Sequence, residues 1–157
     1  MRIWRISNYA DLRGSGGIRA GGRWHSRGSP IVYCAENPGT ALLEVLVHLE
    51  IDDPEDVPDS YQLLSIDLPD AVTRQELDRA LLPDDWRGRS ELTRSLGDTW
   101  LKNMSSAVLF VPSAIVPYTV NALINPLHSD STRLRILAVD RYPFDERLFK
   151  GYGGTKP

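Results

Sequence analysis

A single cysteine, Cys34, in 157 residues excludes an internal disulfide and a cysteine-rich zinc site. Basic residues are also scarce relative to acidic ones. Lys and Arg total 18 against 21 Asp and Glu, for a net charge of -3 and a pI near 5.6. A protein devoted to nucleic acid needs a cationic surplus to displace phosphate counterions, so that class is disfavoured. A local basic patch stays open, because Arg13, Arg19, Arg23 and Arg27 fall close together. No apolar run approaches the roughly 20 residues of a membrane span. The opening MRIWRISNYADL lacks the apolar core and cleavage site of a signal peptide, and a cytoplasmic home is expected. Internal repeats are missing, as are GxGxxG, P-loop and GxSxG patterns. The three histidines, His25, His48 and His128, have no metal-binding spacing, so no metal is expected.

What is present is the length and apolar content, 41%, of one ordinary globular domain. Residues 2–7 alternate as a strand, with Ile3 and Arg5 on one face. Five glycines between Gly14 and Gly22 predict a loop, since glycine loses much backbone entropy inside a helix or strand. Ile31–Ala35 is a short apolar strand. Asn37-Pro38, an N-cap residue and a proline suited to the first helical position, opens a helix to about Leu49. Gln62–Leu68 reads as a strand with Leu64, Ile66 and Leu68 on one face. The polar stretch Thr73–Arg94 predicts short helices, with Trp86 on a surface excursion. Leu92, Leu96, Thr99 and Trp100 share one side of a helix over 90–103. Ser106–Pro112 is the strongest buried-strand signal, residues 118–124 lead into an Asn125-Pro126 turn, and Arg133–Val139 is the last strand. Short strands mixed with two or three helices indicate a single α+β domain over residues 1–150, followed by a flexible tail at 151–157.

Several polar residues admit two readings. Thr40, Glu44 and His48 form an i, i+4, i+8 stripe that either faces water or walls a cleft. In a cleft, the Glu44 carboxylate would suit an oxocarbenium ion or a ribose hydroxyl. Arg23, between glycine and Trp24, is either solvated or an anion ligand whose planar fork suits a pyrophosphate. Tyr33 is either a core residue with its hydroxyl at the rim or a stacking face. Ser105 and Ser106 precede a buried strand, where a hydroxyl binds a ligand or caps backbone. The Gly14–Gly22 loop is a ligand lid or a plain connection.

The blocks GGRWHSRGSPIVY, ALLEVLVHL, SAVLFVPSAIVP and NALINPLH occur in this order. Together they resemble the RES domain, the toxin family named for its arginine, glutamate and serine and found beside Xre-type antitoxins. The resemblance runs from about Arg2 to Val139 and is loose between about Asp52 and Arg94. It implies a fold similar to ADP-ribosyltransferase toxins, with central split β-sheets and flanking helices. The implied activity is NAD+ degradation by hydrolysis or phosphorolysis of the nicotinamide–ribose bond, arresting growth. NAD+ is thereby substrate and no cofactor is needed. The implied alternatives are ADP-ribosylation of a protein, and a non-catalytic co-repressor module acting through its antitoxin. By position the family arginine falls on Arg23, the tyrosine on Tyr33, the glutamate on Glu44 and the serine on Ser106, with Ser105 adjacent. Arg23, Tyr33, Ser106 and Asn125 are the implied NAD+ contacts, and His128 belongs to the same block as Asn125. His25 departs from the asparagine common after the tryptophan. The implied partner is an Xre-type antitoxin, through which alone DNA is bound; no membrane is involved, and a homodimer is allowed.

Overall fold

The computed structural model describes residues 1–49 and 54–149. The expected turn at Asp52-Asp53 and the expected tail lie outside the described residues. Among the described residues seven strands are present: β1 (Arg2–Ser7), β2 (Val32–Ala35), β3 (Gln62–Asp67), β4 (Arg74–Glu76), β5 (Val108–Pro112), β6 (Val120–Ile124) and β7 (Arg135–Arg141). Three α-helices accompany them: α1 (Ser15–Arg19), α2 (Pro38–Leu46) and α3 (Ser90–Asn103). The strands form one mixed sheet in the order β4-β5-β6-β2-β1-β3-β7, in which only β4 and β5 run parallel. No helix among the described residues is long and apolar enough to cross a membrane.

The sheet is continuous, yet its two halves are joined thinly. β2 shares four paired positions with β6, and β1 shares six with β3. Between β1 and β2 there is one, Trp4 with Ala35. The split sheets implied by the family resemblance therefore take the form of two half-sheets hinged at a single pair, beyond which the strands part.

Period-2 alternation assigns the faces. On one face Ile3, Val32, Cys34, Leu64, Ile66, Val108, Phe110, Ala122 and Ile124 build the largest core. Burial pushes the Cys34 thiol up to about 12, since low-dielectric surroundings disfavour a thiolate. On the other face Leu109, Val111 and Leu123 pack with Trp24, Trp86, Trp100 and Leu101 beneath α3. Ile6 and Ala35 pack there against Ala41 of α2. Trp4, Tyr33, Ala35 and Asn121 share this second face through the pairings Trp4–Ala35, Tyr33–Leu123 and Ala35–Asn121.

Some expectations need correction. The glycine-rich stretch contains a short helix, α1, rather than only loop. Tertiary bonds offset its backbone entropy: the Gly17 carbonyl accepts from the Gly28 N–H at 3.2 Å and lies 3.1 Å from His25 Nε2. Trp86 is buried, its ring 5.8 Å from that of Trp24; the charges around it point outward while the indole turns in. α2 stops at Leu46, because His48 and Leu49 turn back to the carbonyls of Val45 and Leu46 and take His48 off the helical stripe. β7 begins two residues later than expected because a 3-10 turn occupies Ser129–Arg133.

α3 approaches residues 22–26 so closely that Gly97 has no room for a side chain: an added Cβ would overlap the Trp24 carbonyl. Gly16, in α1, has nothing within 4 Å of the corresponding position. Gly97→Ala should therefore cost about 1–3 kcal/mol through overpacking. Gly16→Ala should be neutral or add about 0.4–1 kcal/mol by restricting the unfolded chain. Urea denaturation of both variants checks this, and equal effects would contradict the packing described.

Candidate active site

A cleft of about 870 Å³ opens where β1 and β2 part, on the helical face of the sheet. That volume is typical of small-molecule and cofactor sites, roughly 300–1,000 Å³. Trp4 and Ile6 of β1, Tyr33 and Ala35 of β2, Glu44 of α2, Arg23 and Asn121 all line it. Arg23, Tyr33 and Glu44 are thus brought together from three elements.

Arg23 lies in a turn closed by the Gly22 N–H donating to the His25 carbonyl at 3.0 Å. Successive residues of α3 fasten that turn. Thr93 Oγ1 donates to the Arg23 carbonyl at 2.7 Å, and Arg94 Nε to the Gly22 carbonyl at 2.9 Å. Asp98 accepts the Ser26 N–H at 2.8 Å and the Ser26 hydroxyl at 2.6 Å. The Arg23 side chain is braced as well: its Nη1 donates to the Arg87 carbonyl at 2.9 Å, and its guanidinium carbon lies 5.9 Å from the Trp86 ring centre.

Tyr33 stands on the next strand with its hydroxyl fully engaged. It accepts the Trp24 N–H at 3.1 Å and lies 2.8 Å from His25 Nδ1. His25 Nε2 faces only the Gly17 carbonyl, an acceptor, so it carries the imidazole proton and Nδ1 accepts from Tyr33. This assigns the tautomer from the hydrogen-bond pattern. Burial raises the Tyr33 phenol above its ordinary 10, outweighing the Trp24 N–H and the positive charges of Arg94 and Arg23 that pull it down. With its hydroxyl committed, Tyr33 offers the cleft its ring. Gly22 permits this arrangement, because an added Cβ there would meet the Tyr33 hydroxyl at 2.5 Å.

Glu44 walls the opposite side. Its Oε1 accepts from Ser113 Oγ at 2.9 Å and Asn121 Nδ2 at 2.6 Å. Ser113 Oγ in turn accepts the N–H groups of Ile115 and Val116, both at 3.1 Å, which aims its proton at Glu44. No described donor reaches Oε2. The stripe reading resolves toward a cleft wall: Thr40 is buried, Glu44 half-buried and only His48 exposed. Asn121 Oδ1 is buried without a partner. Turning the amide over would set that oxygen against Glu44 Oε1, so the orientation is fixed by the carboxylate.

Ser106 and Asn125 lie elsewhere. Ser106 is 1% exposed, accepting from Trp100 Nε1 at 2.9 Å and donating to the Val108 carbonyl at 2.8 Å. It fastens α3 to β5 and does not line the cleft; Ser105 beside it is exposed and does not line it either. Asn125 is likewise buried, spanning the Leu101 carbonyl and the Leu127 N–H, while His128 Nδ1 caps the following turn. Sequence reasoning missed Ser113 and Asn121. The usable signal was positional: Ser113 directly follows the last residue of the buried strand, and Asn121 interrupts the apolar alternation of the next.

The cleft lining combines a guanidinium, an aromatic face and a carboxylate with one oriented and one unoccupied oxygen. An anionic group fits the first, a flat cation the second, and positive charge developing on a sugar carbon the third.

Comparison with known proteins finds relatives of the chain as a whole. The RES domain family matches residues 2–145. Toxin Res of Pseudomonas putida is 52% identical over 149 residues, covering 95% of this chain and 100% of the relative. The Prs ADP-ribosylating toxin of Sphingobium sp. is 34% identical, with 94% and 96% covered. A chain in the crystal structure of the M. tuberculosis MbcT–MbcA toxin–antitoxin complex shares the fold, with a TM-score of 0.66 at 16% identity, over 94% of this chain and 86% of that one.

Tyr33→Phe keeps the ring but strips the partner from the Trp24 N–H and from His25 Nδ1. It should cost about 1–3 kcal/mol at neutral pH. The wild type should also lose stability as pH rises above about 10, because the unfolded chain releases the Tyr33 proton that the folded state retains. Urea titrations between pH 8 and 11 should show a steeper decline for wild type than for Tyr33→Phe, and parallel declines would contradict the buried phenol.

Proposed function

The chain belongs to the RES domain family, and on that premise we propose that it is the toxin of a toxin–antitoxin pair that consumes NAD+ by cleaving its nicotinamide–ribose bond. The observation that carries this reading is the Glu44 carboxylate, with Oε1 held by Ser113 and Asn121 and Oε2 left to the cleft. Departure of nicotinamide leaves positive charge on the ribose, which a carboxylate in a partly desolvated site stabilises. Arg23 holds the diphosphate, and the Tyr33 ring lies against the cationic nicotinamide. Nicotinamide leaves as a neutral molecule and needs no proton. Water then adds to the ribose carbon and gives up one proton, yielding ADP-ribose; phosphate in its place would yield the phosphorolysis product.

In this account Ser113 is a positioning residue for Glu44. Asn121 likewise positions Glu44 through its Nδ2. Ser106 contributes to folding.

The similarity to the Sphingobium relative named as an ADP-ribosylating toxin favours a second reading, transfer of ADP-ribose to a protein, which begins with the same bond cleavage. A non-catalytic co-repressor has no need of a carboxylate so oriented. The fold shared with a chain of a toxin–antitoxin complex supports an antitoxin partner. The Xre type of that partner, its sole responsibility for DNA contact, a homodimeric toxin and a cytoplasmic setting belong to the same proposal.

Purified protein should release nicotinamide from NAD+. Glu44→Gln should lower that rate by about 10²–10³-fold, the usual consequence of removing a transition-state charge partner. Ser113→Ala should lower it about fivefold, in line with a lost hydrogen bond of about 1 kcal/mol. Ser106→Ala should reduce stability while the rate per folded molecule holds. Release assays with the three variants test this; an active Glu44→Gln would remove the carboxylate from the mechanism, and silence from wild type would favour a protein acceptor.

A further inference from the structure

Arg94 is an exposed residue of α3, but its surroundings are not those of a solvated surface arginine. Asp98 lies one helical turn on, at the i, i+4 spacing where an ion pair ordinarily forms. Both Asp98 oxygens are instead occupied by Ser26, at 2.8 and 2.6 Å, and no ion pair joins Asp98 to Arg94. Arg94 turns the other way. Its Nε donates to the Gly22 carbonyl at 2.9 Å, and neither terminal nitrogen has a partner among the described residues. The side chain lines the cleft beside Arg23 and Tyr33, and also borders a shallower polar hollow of about 430 Å³ on the outer face of α3. Gly22 thus adjoins both arginines of the cleft lining: Arg23 follows it in the chain, and Arg94 Nε is hydrogen-bonded to its carbonyl.

We propose that Arg94 is a second anion ligand of the cleft, forming with Arg23 a two-pronged clasp for a diphosphate. Each guanidinium is anchored by one nitrogen to a backbone carbonyl, Arg87 for Arg23 and Gly22 for Arg94. The anchors fix the planes of the forks and leave other N–H groups for oxygen acceptors. Two separated, oriented forks match two linked phosphates better than one phosphate or a carboxylate. The clasp makes the enzyme selective for a dinucleotide over a phosphate-free nucleoside with the same scissile bond. This inference rests on the reading of the cleft as an NAD+ site, but its anion chemistry is measurable separately.

Two measurements on wild type, Arg94→Gln and Arg94→Lys decide it. Calorimetry with inorganic pyrophosphate as the probe should show binding to wild type, at least tenfold weaker binding to Arg94→Gln, and partial recovery in Arg94→Lys. Kinetics should show a raised KM for NAD+ in Arg94→Gln with kcat little altered. The preference for NAD+ over nicotinamide riboside, in kcat/KM, should fall ten- to a hundredfold. Glutamine retains an N–H for the Gly22 carbonyl, so the turn itself is preserved. Unchanged pyrophosphate affinity in Arg94→Gln overturns the clasp, as does an equal loss of kcat/KM toward NAD+ and the riboside. If wild type releases no nicotinamide yet binds pyrophosphate through Arg94, the clasp stands and cleavage of NAD+ without a protein acceptor falls.

Discussion

The fastening of residues 22–26 to α3 is the constraint on which the site depends. Thr93, Arg94, Gly97 and Asp98 occupy one face of the helix at i, i+1, i+4 and i+5. Between them they take up the Arg23 carbonyl, the Gly22 carbonyl, the close approach of Trp24 and both hydrogen-bond donors of Ser26. Held in this way, the turn aims the Arg23 side chain at the cleft and the Trp24 N–H at the Tyr33 hydroxyl. The Tyr33 hydroxyl then donates a hydrogen bond to His25, which is tied to α1 through Gly17. One wall of the cleft is therefore a hydrogen-bonded chain from α3 to α1.

The other wall is built independently. Asn37 caps α2 by accepting the Thr40 N–H at 2.8 Å, which orients the helix and with it Glu44. Ser113 and Asn121 come from the adjoining ends of β5 and β6, and both spend their donors on the same carboxylate oxygen. The walls share the β2–β6 ladder, in which Tyr33 pairs with Leu123 and Ala35 with Asn121, while β1 joins β2 only at Trp4 and Ala35. The cleft is the space that a fuller β1–β2 ladder would have closed, so its presence follows from the sheet pairing.

Much of the fold could be read from residues whose signals are local. The Asn37-Pro38 cap, the unbroken run of β5 and the alternation of Leu64, Ile66 and Leu68 each specify an element without help from distant chain. Arg23, Tyr33 and Glu44 were reachable as candidates, and the family resemblance united them. What escaped depends on contacts across the chain. Trp86 sits among charges and looks exposed until Trp24, more than 60 residues earlier, is packed against it. α1 forms against its glycine content because His25 and Gly28 supply partners. Ser106 and Ser113 flank the same strand, and only the partner across the sheet distinguishes them: Trp100 for one, Glu44 for the other. His25, which had no assigned role in the sequence, orients Tyr33.

The most direct test of the central claim is a crystal structure of the Glu44→Gln variant soaked with NAD+. The dinucleotide should lie in the cleft between β1 and β2, its diphosphate on the Arg23 side, its nicotinamide against the Tyr33 ring, and the ribose carbon of the scissile bond facing residue 44. NAD+ bound only in the hollow on the outer face of α3, or bound in the cleft with that carbon turned away from residue 44, would contradict it.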